Sequence, residues 1–166
     1  MRLSILKEDL SVEPRVGGTP DTVKRYVGLG AEVVVASGAG LASGVGDGEY
    51  EGAGAKVVAD NAAAVSGADI VLGVRRPEAS ALKGANRGAL AIAIMDPYGH
   101  EAELEALAKA GVSAFAMELM PRITRAQVMD VLSSQANLAG YRAVVDASAE
   151  FGRAFPMMMT AAGTVP

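Results

Sequence analysis

The chain has 166 residues, 51% of them hydrophobic and 20% charged, which suits one folded domain, or one domain and part of a second, and excludes intrinsic disorder. Its 15 Lys and Arg against 19 Asp and Glu give a net charge of −4, so we expect no nucleic-acid partner. With no cysteine and one histidine, His100, the composition excludes disulfides, thiolate metal sites and histidine-rich metal sites, and we expect no metal.

Six short β-rich runs alternate with helical segments that contain many Ala and Gly residues. Runs such as 33–35 and 90–95 lack the alternation of a half-exposed strand, which is typical of strands covered by helices on both faces. The pattern therefore predicts an α/β fold with a doubly wound, mostly parallel sheet of the Rossmann-like or flavodoxin-like kind. The predicted strands are residues 3–6, 32–36, 55–59, 69–74, 89–95 and 112–117.

Helix-start signals precede several of the intervening segments. Thr19 places a capping hydroxyl before a proline at the first helical position, and Asp60 precedes an alanine run. A further helix is predicted over 101–110, with leucines on one face and charged residues on the other. Residues 124–154 contain few glycines and no proline, so they predict one long helix of about 45 Å.

The long helix sets the predicted domain division. We expect an N-terminal α/β domain at 1–122, followed at 123–166 by a loop, the long linking helix and the start of a truncated second domain. No stretch approaches the ~20 apolar residues of a membrane-spanning helix, and the first residues do not resemble a signal peptide. The chain is therefore predicted to be cytoplasmic and to reach a membrane only through a partner.

Two regions of the predicted sheet edge offer weaker site signals. The glycine-rich stretch 37–44 imitates a dinucleotide fingerprint but does not open directly into a helix, so a flexible loop is favoured over a phosphate cradle. Arg15 follows the first strand, where it could clamp a carboxylate ligand or form a salt bridge to Glu8 or Glu13. Arg75 and Asp96 follow later strands, where turn chemistry is favoured over catalysis.

The segment between the sixth strand and the long helix is richer in polar chemistry. It contains Arg122 and Arg125, and on a continuous helix four polar residues would fall on one stripe. Amides, hydroxyls and one carboxylate on a stripe indicate either a polar ligand or a buried hydrogen-bond network. The four residues of the stripe are Gln127, Asp130, Ser134 and Asn137.

Several sequence blocks together resemble the alanine dehydrogenase and pyridine nucleotide transhydrogenase family. They include KE at 7–8, EPRV at 13–16, TP at 19–20, GAG at 38–40 and AMELMPRITRAQ at 116–127. The blocks 130–143 and 155–166 resemble the transhydrogenase branch, in particular the N-terminal NAD(H)-binding component of the α subunit of the proton-translocating enzyme.

The resemblance implies hydride transfer between NAD(H), held by this component, and NADP(H), held by a partner component, coupled to proton translocation by a membrane component. It implies catalytic and cofactor-binding roles for Arg122, Gln127 and Asp130, with Ser133 as a further cofactor-binding residue. It also implies a homodimer located peripherally at the inner membrane through its partner subunits. Because direct hydride transfer needs no general base, a site without His or Cys is chemically coherent.

The sequence departs from the family pattern in three respects. Val128 stands where a serine is usual, and Gly17 and Gly18 are expected to loosen their segment. The dinucleotide-binding Rossmann half is missing from the 166 residues, so we expect them alone to be inactive and to bind NADH weakly.

Two alternative functions stay open at this point. An alanine dehydrogenase-like oxidoreductase would use Arg15 for the substrate carboxylate, with a lysine and a histidine after the fourth and fifth strands, where this chain has Arg75 and Asp96. A non-catalytic α/β dimerisation module would instead pair its long helix with that of a second copy.

Overall fold

The structure, a computed structural model, describes residues 1–153, 155, 158–161 and 163–165. It contains two compact units, Met1–Pro121 and Arg122–Pro166. The first unit is built on a six-stranded sheet in which every neighbouring pair is parallel, so all six predicted strands are confirmed. The strands are β1 Arg2–Ile5, β2 Glu32–Ala36, β3 Lys56–Val58, β4 Ile70–Arg75, β5 Leu90–Ile94 and β6 Ser113–Ala116.

The strand order of this sheet is β3-β2-β1-β4-β5-β6. The chain therefore winds outward from β1 in one direction and then, from β4, in the other. This is the Rossmann order, and it places the topological switch point at the carboxyl ends of β1 and β4, where open α/β sheets bind ligands.

Four helices connect the strands, and two begin at predicted caps. They are α1 Pro20–Gly28, α2 Asp47–Gly52, α3 Asn61–Val65 and α4 Glu101–Lys109. The Thr19 hydroxyl accepts the backbone N–H of Thr22 at 3.4 Å. The Asp60 carboxylate accepts that of Ala63 at 2.8 Å, so both polar caps satisfy backbone donors that a helix leaves unpaired.

Apolar residues line both faces of the sheet, which confirms the doubly wound arrangement. Within β2, Val33 and Val35 point into one core, while Val34 and Ala36 point into another. The first core is completed by α1 and α2. The opposite face is covered by α3 and α4, which is why β2 reads as an unbroken apolar run.

Gly17 and Gly18 have a packing role instead of the predicted loosening role. A Cβ added at Gly17 would lie 3.3 Å from the backbone of Leu72 and Gly73, and one added at Gly18 would lie 2.7 Å from the Ile5 side chain. The segment therefore passes too close to β4 and β1 for any side chain, and these glycines permit the approach.

The second unit contains a helix that is shorter than predicted. Residues Thr124–Met129 form a 3₁₀ turn, and the helix α5 covers Val131–Glu150. The expected helix over 124–154 is wrong at both ends, because Asp130 and Phe151 have extended backbone conformations that begin and end α5. Residue 154 itself lies outside the described residues. An antiparallel pair, β7 Met158–Thr160 and β8 Gly163–Val165, follows.

None of the helices in the described part of the chain combines the length and the apolar character that crossing a membrane requires.

Candidate functional site

The first candidate site is the junction between the 3₁₀ turn and α5, where Asp130 is the N-cap. One carboxylate oxygen, Oδ1, accepts the backbone N–H groups of Leu132 at 3.0 Å and Ser133 at 3.1 Å. The other, Oδ2, accepts the Ser133 hydroxyl at 2.6 Å. These bonds, that of the Ser133 hydroxyl first, hold the pKa of Asp130 below its ordinary value, and the charge of Arg122 contributes.

The junction brings the four predicted site residues into one short segment. Gln127 is tied to Asp130 through the backbone, because its carbonyl accepts the Asp130 N–H at 3.2 Å. Arg122 is near enough for its charge to act on the Asp130 carboxylate. Val128, which stands where the family usually has a serine, is 93% exposed. The segment thus offers a cation, an amide, a carboxylate and a hydroxyl close together.

The predicted polar stripe along one continuous helix is wrong. Gln127 lies in the 3₁₀ turn before the helix, and Asp130 is its cap, so only Ser134 and Asn137 belong to α5. The extended backbone at Asp130 breaks the helical spacing on which the stripe depended.

At the sheet edge, Arg15 forms the salt bridge that was one of its two predicted interpretations. Its guanidinium donates to both oxygens of Glu13, at 2.7 and 2.6 Å. The Glu13 side chain is 5% exposed, and the hydrogen bond from Arg15 lowers the pKa of this carboxyl. A buried, bidentate internal partner supports the structural interpretation of Arg15 over a substrate clamp.

Glu8 is a residue that sequence reasoning left without a role. Its carboxylate accepts the backbone N–H of Val74 at 2.6 Å and that of Arg75 at 3.4 Å, where the pairing of β4 with β5 is irregular. Burial is the main cause that raises the pKa of Glu8 above its ordinary value. The only sequence signal was a carboxylate directly after a predicted strand, which does not show that a distant strand needs an acceptor.

The raised pKa gives a stability prediction for Glu8→Gln. Because folding favours the protonated form of Glu8, wild type loses this contribution as pH rises from about the ordinary value of 4.5 through the higher folded pKa. The variant cannot ionise, so its free energy of unfolding should gain on that of wild type over this window. Urea unfolding of both proteins between about pH 4 and 7 measures the difference. A difference that stays constant or falls with pH would contradict the assignment.

The glycine-rich stretch 37–44 is a turn whose polar groups have internal partners. The Gly38 N–H and the Ser37 hydroxyl both donate to the Asp47 carboxylate, at 2.8 and 2.6 Å. The helix α2 begins only at Asp47, so the glycines do not open into a helix N-terminus. This arrangement supports the loop interpretation over a phosphate cradle.

The residues after β4 and β5 form a braced turn. Asp96 is the only described residue other than glycine with a positive φ, 45°. The Arg76 guanidinium donates to the carbonyls of Met95 and Asp96, and the Glu118 carboxylate accepts their N–H groups. This bracing supports the turn interpretation of Asp96, and the roles of Arg76 and Glu118 had no sequence signal. Among the described residues, no group of three His, Asp or Glu is arranged to hold a metal.

Comparison with known proteins gives consistent matches. The family model described as "Alanine dehydrogenase/PNT, N-terminal domain" matches residues 4–139. The chain is 49% identical over 174 aligned positions to a protein of Rhodospirillum rubrum that is named as an NAD(P) transhydrogenase subunit alpha, with 100% of this chain and 44% of that protein covered.

Solved structures agree. The crystal structure of transhydrogenase from Sinorhizobium meliloti superposes with a TM-score of 0.90 at 58% identity, covering 100% of this chain and 49% of that one. An L-alanine dehydrogenase superposes with a TM-score of 0.66 at 29% identity, covering 71% of this chain and 32% of that one. The chain thus spans less than half the length of these relatives and structures.

Proposed function

Because the chain belongs to the alanine dehydrogenase/PNT N-terminal domain family, we propose that it acts within the NAD(H)-binding component of a proton-translocating transhydrogenase. The observation that supports this most is its similarity, along its whole length, to a relative named as a transhydrogenase α subunit. The proposed reaction is Re/Si-specific hydride transfer between NAD(H) on this component and NADP(H) on a partner component, coupled to proton translocation.

We place the nicotinamide at the junction of the 3₁₀ turn with α5. A primary carboxamide has a donor and an acceptor, and the Gln127 amide has both, so the two can pair. Arg122 adds a fixed positive charge and Asp130 a fixed negative one, which together can orient a polar ring substituent. These donor types fit a nicotinamide.

The chain's residues then act by orientation alone. Bound NADH supplies the hydride, which passes directly to the oxidised nicotinamide of the partner component. Gln127, Arg122 and Asp130 would hold the ring in the geometry for that transfer, and no residue of this chain needs to donate or remove a proton. Ser133 would provide a further hydrogen bond to the ring substituent.

The proposed assembly includes an NADP(H)-binding component, a membrane component and a second copy of this chain. It places the chain on the cytoplasmic side of the inner membrane, peripheral through its partners. The helix α5 offers a surface for the second copy, because exposed apolar residues repeat along it at helical spacing. These residues are Leu138, Tyr141 and Val145.

If α5 pairs with its twin, Leu138→Lys combined with Tyr141→Lys should convert a dimer into a monomer. Two buried charges without partners would oppose the association of apolar helix faces. Sedimentation equilibrium measures the mass, with Ser148→Ala on the same helix as the control. A double variant that stays dimeric would place the dimer interface elsewhere.

The enzyme that contains this chain should reduce NADP⁺ with NADH, and deuterium at the transferring position of NADH should appear in the product. It should not turn over pyruvate and ammonium, because the alanine dehydrogenase pattern of lysine and histidine is replaced here by Arg75 and Asp96. Alanine formation would instead establish the first alternative. Dimerisation without either reaction would establish the non-catalytic module.

A further inference from the structure

We propose that Asp130 is a positioning residue that fixes the hydrogen-bond polarity of Ser133, so that Ser133 accepts a hydrogen bond from the ligand and cannot donate one. This inference rests on the proposed function, since it concerns the ligand of the same site. It assigns Asp130 an indirect action on the ligand through Ser133, in addition to its charge.

The geometry leaves the Ser133 hydroxyl only one direction for its proton. Its oxygen lies 2.6 Å from Asp130 Oδ2, a short distance typical of a hydroxyl that donates to a carboxylate. An ionised carboxylate can only accept, so the hydroxyl must be the donor in this bond. A hydroxyl has one proton, and the free capacity of Ser133 is therefore acceptor capacity.

The Asp130 carboxylate is itself held in place by the helix. Its other oxygen accepts two backbone N–H groups of the first turn of α5, those of Leu132 and Ser133. The carboxylate therefore cannot rotate away from Ser133 without uncapping α5. The same bonds occupy the amides that would otherwise attract an anion to this helix end, so the site disfavours an anionic substituent.

This polarity selects for a ligand group with an N–H donor. A nicotinamide carboxamide has such a group, whereas a nicotinate carboxylate has none and brings a second negative charge next to Asp130. The expected preference for the amide is roughly tenfold or more, since one hydrogen bond at ~1.4 kcal/mol corresponds to a factor of ten.

The test compares the dissociation constants of NAD⁺ and nicotinic acid adenine dinucleotide in the complete enzyme. Wild type should prefer NAD⁺ roughly tenfold or more. Asp130→Asn keeps the cap, because Asn caps helices as well as Asp, but its amide can donate to the Ser133 oxygen and release the Ser133 proton. The preference should fall towards parity, with unchanged helix content by circular dichroism.

Ser133→Ala in the Asp130→Asn background separates polarity from charge. If polarity matters, the double variant should lose part of the affinity for the acid analogue that Asp130→Asn gained. Ser148→Ala, which removes a hydroxyl elsewhere on α5, should leave the preference as in wild type.

The outcomes distinguish the two levels of the proposal. A wild-type enzyme that binds neither dinucleotide would overturn the proposed function and this inference with it. A wild type that binds NAD⁺, together with an Asp130→Asn preference equal to that of wild type, would overturn the inference alone. A gain that is undiminished in the double variant would show that charge alone acts, and would also overturn it.

Discussion

Gln127→Ala should lower the rate of hydride transfer by the complete enzyme about a hundredfold, the size of effect that a small misplacement of reacting groups produces. Gln127 lies in the 3₁₀ turn, and its backbone carbonyl accepts the Asp130 N–H, so its amide is presented from a turn fixed to the α5 cap. Removing the amide leaves that backbone bond intact. The loss should therefore come from ring orientation and should appear in single-turnover measurements.

Two arginines of the same segment provide a matched comparison for Gln127→Ala. Arg122→Ala should also slow transfer, because the charge near Asp130 is removed. Arg125, in the same 3₁₀ turn, has no proposed contact, so Arg125→Ala should change the rate less than about threefold, within the range of ordinary surface substitutions. Equal rates for wild type and Gln127→Ala would remove Gln127 from the site.

Tyr50→Ala should lower the free energy of unfolding by about 3–5 kcal/mol, a large part of the ~5–15 kcal/mol typical of a domain. Tyr50 lies on α2, is fully buried and packs in the core between the sheet and the helices α1 and α2. Its ring lies so close to Gly40 that a Cβ there would meet it at 2.8 Å, which shows how tightly the site is filled. Truncation would leave a cavity that this packing cannot close.

Tyr50→Phe separates the ring from its hydroxyl. The hydroxyl donates to the Gly18 carbonyl at 2.8 Å, so its removal should cost only about 1 kcal/mol. The 79% exposed Tyr98 is the control, and Tyr98→Ala should change stability by less than about 0.5 kcal/mol. Urea unfolding midpoints measure all three. A Tyr50→Ala loss as small as that of Tyr98→Ala would contradict the tight packing around this ring.

For the candidate site, the resemblance supplied the residues but not their arrangement. Arg122, Gln127, Asp130 and Ser133 were named from a motif, and their contact with a nicotinamide stays a prediction. The structure added that Asp130 caps α5 and accepts the Ser133 hydroxyl, which no spacing rule showed because the predicted helix ran through Asp130. Capping depends on one residue's backbone conformation, and a composition rich in helix formers does not reveal where that conformation changes.

By itself, the sequence determined the six strands, the caps at Thr19 and Asp60, and membership of the family, because apolar runs, capping side chains and motif blocks are local properties. The tertiary structure decided the strand order, the Glu13 partner of Arg15, the acceptor role of Glu8 and the close packing at Gly17 and Gly18. Hydrogen bonds between parallel strands join backbone groups that every residue has, so the sequence does not specify which strands become neighbours. Only the neighbouring strand reveals which side chain must satisfy it and which glycine must let it approach.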